Sequence, residues 1–192
     1  MIEKKPLFIA EVKTRSPKTR SPFGFESEYS RKYLFEIAAE YGDAVAIHTS
    51  SKWGGSFDHV QEARERLPRR KLVVAKGIHP YDEEIRIALF RGADLVTVVG
   101  RLPPRELAPV CIWEPNNLDE IITAKDPAQK IMWNERNLAT GQLRSDTNFT
   151  MARWAHKGWM VQASFIAKPE DVHPKADAFI VGENLIPFIE AL

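Results

Sequence analysis

The chain has 192 residues, 44% of them hydrophobic, and a formal net charge of +1. That size suits one well-cored domain and leaves two cramped, and the near-zero charge excludes bulk attraction to nucleic acid or an anionic membrane. The single cysteine, Cys111, sits in an apolar run and excludes an internal disulfide framework. With no signal-like segment and no long apolar span, a soluble cytoplasmic protein is expected.

Leu7 to Ala10 is a short apolar run behind Pro6, the pattern of a strand buried on both faces. It runs on into Glu11-Val12-Lys13. Alternation puts Glu11 and Lys13 on one face, where opposite charges are expensive unless they meet each other or a ligand. An ion pair at a sheet rim would explain one such pattern, but the pattern recurs. The pentapeptide Lys-Thr-Arg-Ser-Pro then occurs twice, at 13–17 and 18–22. Two Ser-Pro steps and Gly24 forbid a helix, so a long basic mobile loop is predicted, either a solvated linker or an anion grip.

A helix is expected over about Ser27–Tyr41, stopped by Gly42. Strand two is Ala44–His48. Helix two runs from about Ser56, a plausible N-cap, to Leu67. Strand three, Leu72–Lys76, ends in a charge, and helix three spans about Asp82–Arg91. Strand four is Asp94–Val99, followed by a short helical turn near Arg105–Leu107. Strand five, Val110–Glu114, again ends in a charge, with a helix near Asn117–Ala124. Strand six is Lys130–Asn134, with Arg136 just beyond and a helix near Asp146–His156. Strand seven is Trp159–Ser164, with a brief turn at Pro169–Val172. Strand eight is Ala178–Gly182, and Asn184–Leu192 forms the last helix.

Eight strand-then-helix units of similar length predict a single-domain α/β fold, a compact (β/α)₈ barrel over 1–192. An open doubly wound sheet is the alternative, but no Gly-x-Gly-x-x-Gly follows any strand. In a barrel the C-terminal strand ends converge on one mouth. Here they carry Glu11 and Lys13, Lys76, Glu114, and Asn134 with Arg136. Crowded carboxylates and lysines shift one another's pKa values, which yields an acid and a base near neutral pH.

Other groups read as structural. The five histidines lack tight metal-ligand spacing, so neither metal nor cofactor is expected. Trp113 and Trp133 lie inside strands and read as packing. Arg64, Arg66, Arg69, Arg70 and Lys71 read as a solvated face that suits a helix C-terminus.

These residues resemble the indole-3-glycerol phosphate synthase family. Glu11-Val-Lys13-Thr-Arg-Ser16-Pro17 is similar to its first-strand signature, and Lys76 falls at its third-strand lysine. Gly55-Ser56 after Trp53 resembles the second-loop motif, and Gly92-Ala93-Asp94 the lead-in to strand four. Glu114 stands at the fifth-strand glutamate. Trp133-Asn134-Glu135-Arg136-Asn137-Leu138 resembles the sixth-strand pattern, and Val181-Gly182-Glu183-Asn184-Leu185 the eighth-strand end.

The resemblance implies a carbon–carbon lyase of tryptophan biosynthesis. Its substrate is a phosphorylated small molecule, 1-(2-carboxyphenylamino)-1-deoxyribulose 5-phosphate, and no cofactor is needed. Lys76 would be the acid. Lys13 would hold the substrate carboxylate or serve in dehydration. Glu11 and Glu114 would act as base and charge stabilisers, and Asn134 would orient a hydroxyl. Ser16, Ser164 and the Gly182 backbone would hold the phosphate, with Ser21 competing with Ser16 and with Arg136 and Glu183 completing the binding set. A related phosphosugar isomerase or a non-catalytic phosphate-binding barrel is the alternative, as monomer or homo-oligomer.

Three positions depart from the family pattern, and a fourth departure is the family's N-terminal helical extension, which has no counterpart before Leu7. Ala163 stands in place of a seventh-strand glutamate, Phe165 in place of a glycine beside the phosphate, and Gly77 in place of an aspartate. They predict weak binding of phosphate esters and reduced activity.

Overall fold

The computed structural model describes residues 5–16, 24–136, 142–143 and 147–192. The second basic pentapeptide with Ser21, the Asn137-Leu138 part of the sixth-strand motif, and the expected helix start at Asp146 lie outside these residues. Eight parallel strands close into a barrel. They are β1 Leu7–Val12, β2 Ala44–His48, β3 Leu72–Lys76, β4 Leu95–Val99, β5 Cys111–Glu114, β6 Lys130–Asn134, β7 Met160–Ala163 and β8 Ala178–Val181. Strand β1 closes the ring by pairing with both β8 and β2, Ala10 facing Val181 on one side and Val45 on the other.

Among the described residues six helices cover the outside: α1 Arg31–Tyr41, α2 Phe57–Arg66, α3 Asp82–Phe90, α4 Leu118–Ala124, α5 Phe149–Ala155 and α6 Leu185–Glu190. Short 3₁₀ turns, Ala108–Val110 and Pro169–Asp171, take the helical place after β4 and β7. That economy is how eight units fit a short chain. Helix α1 starts later than the periodicity predicts because Ser30 caps it, accepting from the Tyr33 amide. Helix α5 likewise starts after its cap Asn148, and Ser56 caps α2 as expected.

Strand alternation sorts the core into two shells. Inward residues such as Ile9, Ala46, Val74, Ile112, Met132, Val161 and Ile180 form the barrel's filling. Outward residues such as Phe8, Val45, Val73, Val98 and Cys111 pack against the helices. Trp113 and Trp133 lie buried under α4 and α5, so they are packing residues. The basic run at the end of α2 is less solvated than its composition predicts. Arg64 donates to the carbonyls of Leu67 (3.1 Å), Pro68 (2.8 Å) and Lys71 (3.2 Å) and to Asp94 (3.1 Å), tying the helix end to the start of β4.

The segment after β1 is also more ordered at its ends than a linker. Arg15–Ser16 pairs antiparallel with Phe25–Glu26, and the Ser27 amide donates to Thr14. Among the described residues no helix is long and apolar enough to cross a membrane.

His79, buried behind the end of β3, gives the fold a pH dependence. Its Nδ1 donates to the Thr97 carbonyl (2.6 Å) and its Nε2 accepts from the Thr49 hydroxyl (2.9 Å). Burial holds its pKa down to about 4, with Lys76 adding to the effect. Between about pH 6.5 and 4 the unfolded chain takes up a proton that the folded chain refuses. Stability from this group is therefore full above pH 6.5 and falls on acidification, by on the order of 3 kcal/mol at pH 4. Urea midpoints across this range should show a shallower acid slope for His79→Asn than for wild type, whereas equal slopes would reject the assignment.

Candidate active site

The mouth is built by carrying the inward alternation two residues past the apolar layer. From Ile9, Ala46, Val74, Ile112, Met132, Val161 and Ile180 it leads to Glu11, His48, Lys76, Glu114, Asn134, Ala163 and Gly182. Each therefore points into the same opening. They border a cavity of about 1100 Å³ that Lys13, Ser16, Arg136, Ser164, Phe165 and Glu183 also line. All ten candidates from the sequence thus meet in one place, as a barrel of parallel strands requires of residues at strand ends.

Glu114 is the anchor of one side. It is only 1% exposed, and a bare carboxylate there would be untenable. Lys76 Nζ donates to its Oε2 at 2.7 Å and Asn134 Nδ2 to its Oε1 at 2.8 Å. The Asn134 carbonyl oxygen accepts from the Ser164 hydroxyl (2.6 Å) and the Arg136 amide (2.9 Å), which fixes the amide's orientation. Burial opposes the charge on Lys76, but Glu114 and Glu11 outweigh it and hold the ammonium above its ordinary value.

Glu11 and Lys13 do not pair with each other, contrary to the simplest reading of their spacing. Glu11 Oε1 meets His48 Nε2 at 2.7 Å, and Lys13 Nζ meets Glu183 Oε1 at 2.8 Å. Burial works against the Glu11 carboxylate, but His48, Lys13 and Lys76 hold its pKa well below the usual range. Burial, then Lys13 and Lys76, pushes His48 down against the pull of Glu11. Among the described residues His48 Nδ1 is buried without a hydrogen-bond partner. A bare lone pair is tolerated there better than an unpaired N–H, so the ring is neutral and donates from Nε2 to Glu11. Its other face stacks on Trp53, centroids 5.8 Å apart.

His48 is the residue that sequence reasoning missed. It stands at a strand's C-terminal end exactly as the charged candidates do, and that position was the available signal. Gly182 explains how Glu11 fits, because a Cβ there would lie 1.9 Å from Glu11 Oε2. The carboxylate therefore lies over the backbone that the family resemblance assigns to phosphate. Gly77 has a similar reason. A Cβ would come within 2.5 Å of Thr49 Oγ1 and 2.7 Å of His79 Cε1, so the family's aspartate has no room.

The far side of the mouth is a second ion cluster. Glu183 bridges Lys13 and, at 3.1 Å, Arg136. The Phe165 ring faces the Arg136 guanidinium at 5.3 Å. Ser164 (φ 70°) and Phe165 (φ 57°) are both left-handed, a conformation that favours glycine. Phe165 thus stands where a glycine is expected in a backbone conformation that a glycine adopts without strain. Among the described residues no group of three or more His, Cys, Asp and Glu side chains is arranged to hold a metal ion.

No protein-family model matches the chain, and no curated protein matches it in sequence. Solved structures match it in fold. One is 3-hexulose-6-phosphate synthase, at TM-score 0.62 and 15% identity over 95% of this chain and 99% of the other. Phosphoribosyl anthranilate isomerase from Thermotoga maritima matches at TM-score 0.66 and 14% identity, covering 96% and 91%. A structure of phosphoribosyl anthranilate isomerase in complex with reduced 1-(o-carboxyphenylamino)-1-deoxyribulose 5-phosphate matches at 0.63 and 13%, covering 96% and 90%. At these identities the likeness establishes the (β/α)₈ barrel and no more.

The backbone at Phe165 sets an expectation for stability. If Phe165 were core, its loss would cost about 3–5 kcal/mol. It is instead half-buried at the cavity wall in a left-handed conformation. Phe165→Gly trades partial packing against relief of about 1 kcal/mol of backbone strain. Denaturant unfolding should place the variant within about 1 kcal/mol of wild type; a loss of 3 kcal/mol or more would show the ring to be core after all.

Proposed function

We propose that the mouth carries out an indole-3-glycerol phosphate synthase-type reaction on 1-(2-carboxyphenylamino)-1-deoxyribulose 5-phosphate or a close analogue. The observation that carries this reading is the Lys76–Glu114–Asn134 chain at the cavity wall. It holds a protonated ammonium, positioned and kept charged through the neutral range, beside open volume. An acid so held suits a carbonyl oxygen that gains negative charge as a carbon nucleophile attacks.

In the reaction, the ring carbon bearing the substrate carboxylate attacks the ribulose carbonyl carbon, and Lys76 protonates the oxygen. The bond to the carboxylate then breaks, carbon dioxide leaves, and its electron pair returns to the ring. The new hydroxyl takes a proton from Lys13 and departs as water while the adjacent nitrogen-bearing carbon loses a hydrogen as a proton, which forms the second ring double bond and completes the indole. Glu11, ionised and fixed by His48, stabilises positive charge on the anilino nitrogen and takes up the proton released from the carbon beside it, the nitrogen keeping its own hydrogen. Asn134 orients a substrate hydroxyl. Lys13 attracts the substrate carboxylate before it is lost. The neighbour that binds a reduced form of this compound supports the fit of such a ligand to a barrel of this size.

A second reading has its own support. Ala163 puts a methyl group where a carboxylate is expected, and the Phe165 ring lines the cavity where a glycine is expected. Both suit a related phosphosugar isomerase or a barrel that binds without catalysis. Formation of the fluorescent indole product separates these readings from the lyase.

Purified protein should form that product slowly, and Lys76→Met should lower the rate by a factor of about 10² to 10⁴. Stability enters the design of this test. Lys76 partners a carboxylate that is 1% exposed, so breaking the pair costs on the order of 3 kcal/mol, more than an ordinary rim lysine. Lys76→Arg keeps the charge opposite Glu114 but does not give up its proton, and should also be inactive. Unchanged turnover in either folded variant rejects Lys76 as the acid, and no product from wild type rejects the reaction.

A further inference from the structure

In (β/α)₈ barrels a phosphate commonly sits against the loops after the seventh and eighth strands. In this chain that place is already filled. The loop after β8 sends the Glu183 carboxylate between Lys13 Nζ (2.8 Å) and an Arg136 guanidinium nitrogen (3.1 Å). The loop after β7 sends the Phe165 ring over the same guanidinium. Glu183 is 19% exposed, and its two cationic partners are 12% and 14% exposed, so the cluster is shielded and its charges act strongly.

We infer that Glu183 is a built-in anion standing where a phosphate would bind, and that the site takes a ligand whose end there carries hydroxyl groups. This rests on the reading of the mouth as the binding site for an amino-ketose. A phosphate dianion only accepts hydrogen bonds, and so does a carboxylate. Facing each other they repel and share no proton. A phosphate must therefore displace Glu183 from both cations and leave that carboxylate poorly solvated. A sugar hydroxyl has no such conflict. It donates to Glu183 and accepts from Lys13 or Arg136, which a mixed row of acceptors and donors favours over an all-acceptor group. Phe165 adds a flat apolar wall against which the carbon chain of a polyol packs. The preferred substrate is accordingly the unphosphorylated 1-(2-carboxyphenylamino)-1-deoxyribulose, and the phosphate ester is a poor one.

The test is calorimetric titration of the full chain with two reduced analogues, N-(2-carboxyphenyl)-aminodeoxyribitol and its 5-phosphate. Inorganic phosphate serves as a third, independent probe. Wild type, Glu183→Ser and Glu183→Gln are compared, the Gln variant keeping the volume if Ser does not fold. Wild type should bind the unphosphorylated analogue at least as tightly as the ester. Both variants should move the preference toward the ester by about tenfold or more and gain binding of inorganic phosphate. The inference is overturned if wild type prefers the ester tenfold, or if the folded variants gain no affinity for ester or phosphate. If no protein binds either analogue yet only the variants bind inorganic phosphate, the assignment of Glu183 stands and the amino-ketose reading falls.

Discussion

The buried carboxylate of Glu114 is the constraint around which the rest of the mouth is arranged. At the top of an otherwise apolar barrel interior it must be met by a cation and a donor, and it is met by Lys76 and Asn134. Asn134 is in turn fixed by Ser164 and the Arg136 amide. The chain of contacts spans β3, β5, β6 and the end of β7, so Lys76 is held by four elements of a closed barrel and by no loop alone. The layer of Ile9, Val74, Ile112 and Met132 beneath it keeps water from entering below and keeps the local dielectric low.

Such a layer is a poor way to stabilise a protein. Apolar residues of similar volume would fill the same ring at no loss or with a gain. The chain instead keeps the ion pairs Lys76–Glu114, Lys13–Glu183 and Arg136–Glu183 there, with a neutral His48 donating to the Glu11 carboxylate. Breaking local rules of burial at one end of a well-packed fold is the usual mark of a functional site. The ring also divides into two ends. Lys76, Glu114 and Asn134 suit proton transfer at a carbonyl, and Lys13, Glu183 and Arg136 suit recognition of a ligand's tail. Glu11 and His48 lie within reach of both lysines' fields.

Much of this was legible in the chain. Short apolar runs ending in Glu11, Lys76, Glu114 and Asn134 predict both the strands and the side from which they are read, because alternation and parallel order follow from spacing alone. The pairings were less legible. Glu11 and Lys13 are adjacent on one face, yet closure and stagger bring His48 to one and Glu183 to the other. His48 carries the same strand-end signal as its neighbours but is passed over when histidines are judged only by metal-ligand spacing. Arg64 reads as solvated because a helix end and Asp94 meet it only in the folded chain. The left-handed backbone at Ser164 and Phe165 has no sequence signal, since both residues normally avoid it.

The most direct measurement is a crystal structure of the protein soaked with the reduced, unphosphorylated amino-ketose. The carbinol oxygen that replaces the carbonyl should lie about 3 Å from Lys76 Nζ, with the hydroxyl tail reaching Glu183. A ligand bound outside this mouth, or seated in it with its carbinol away from Lys76, would contradict the assignment of the site.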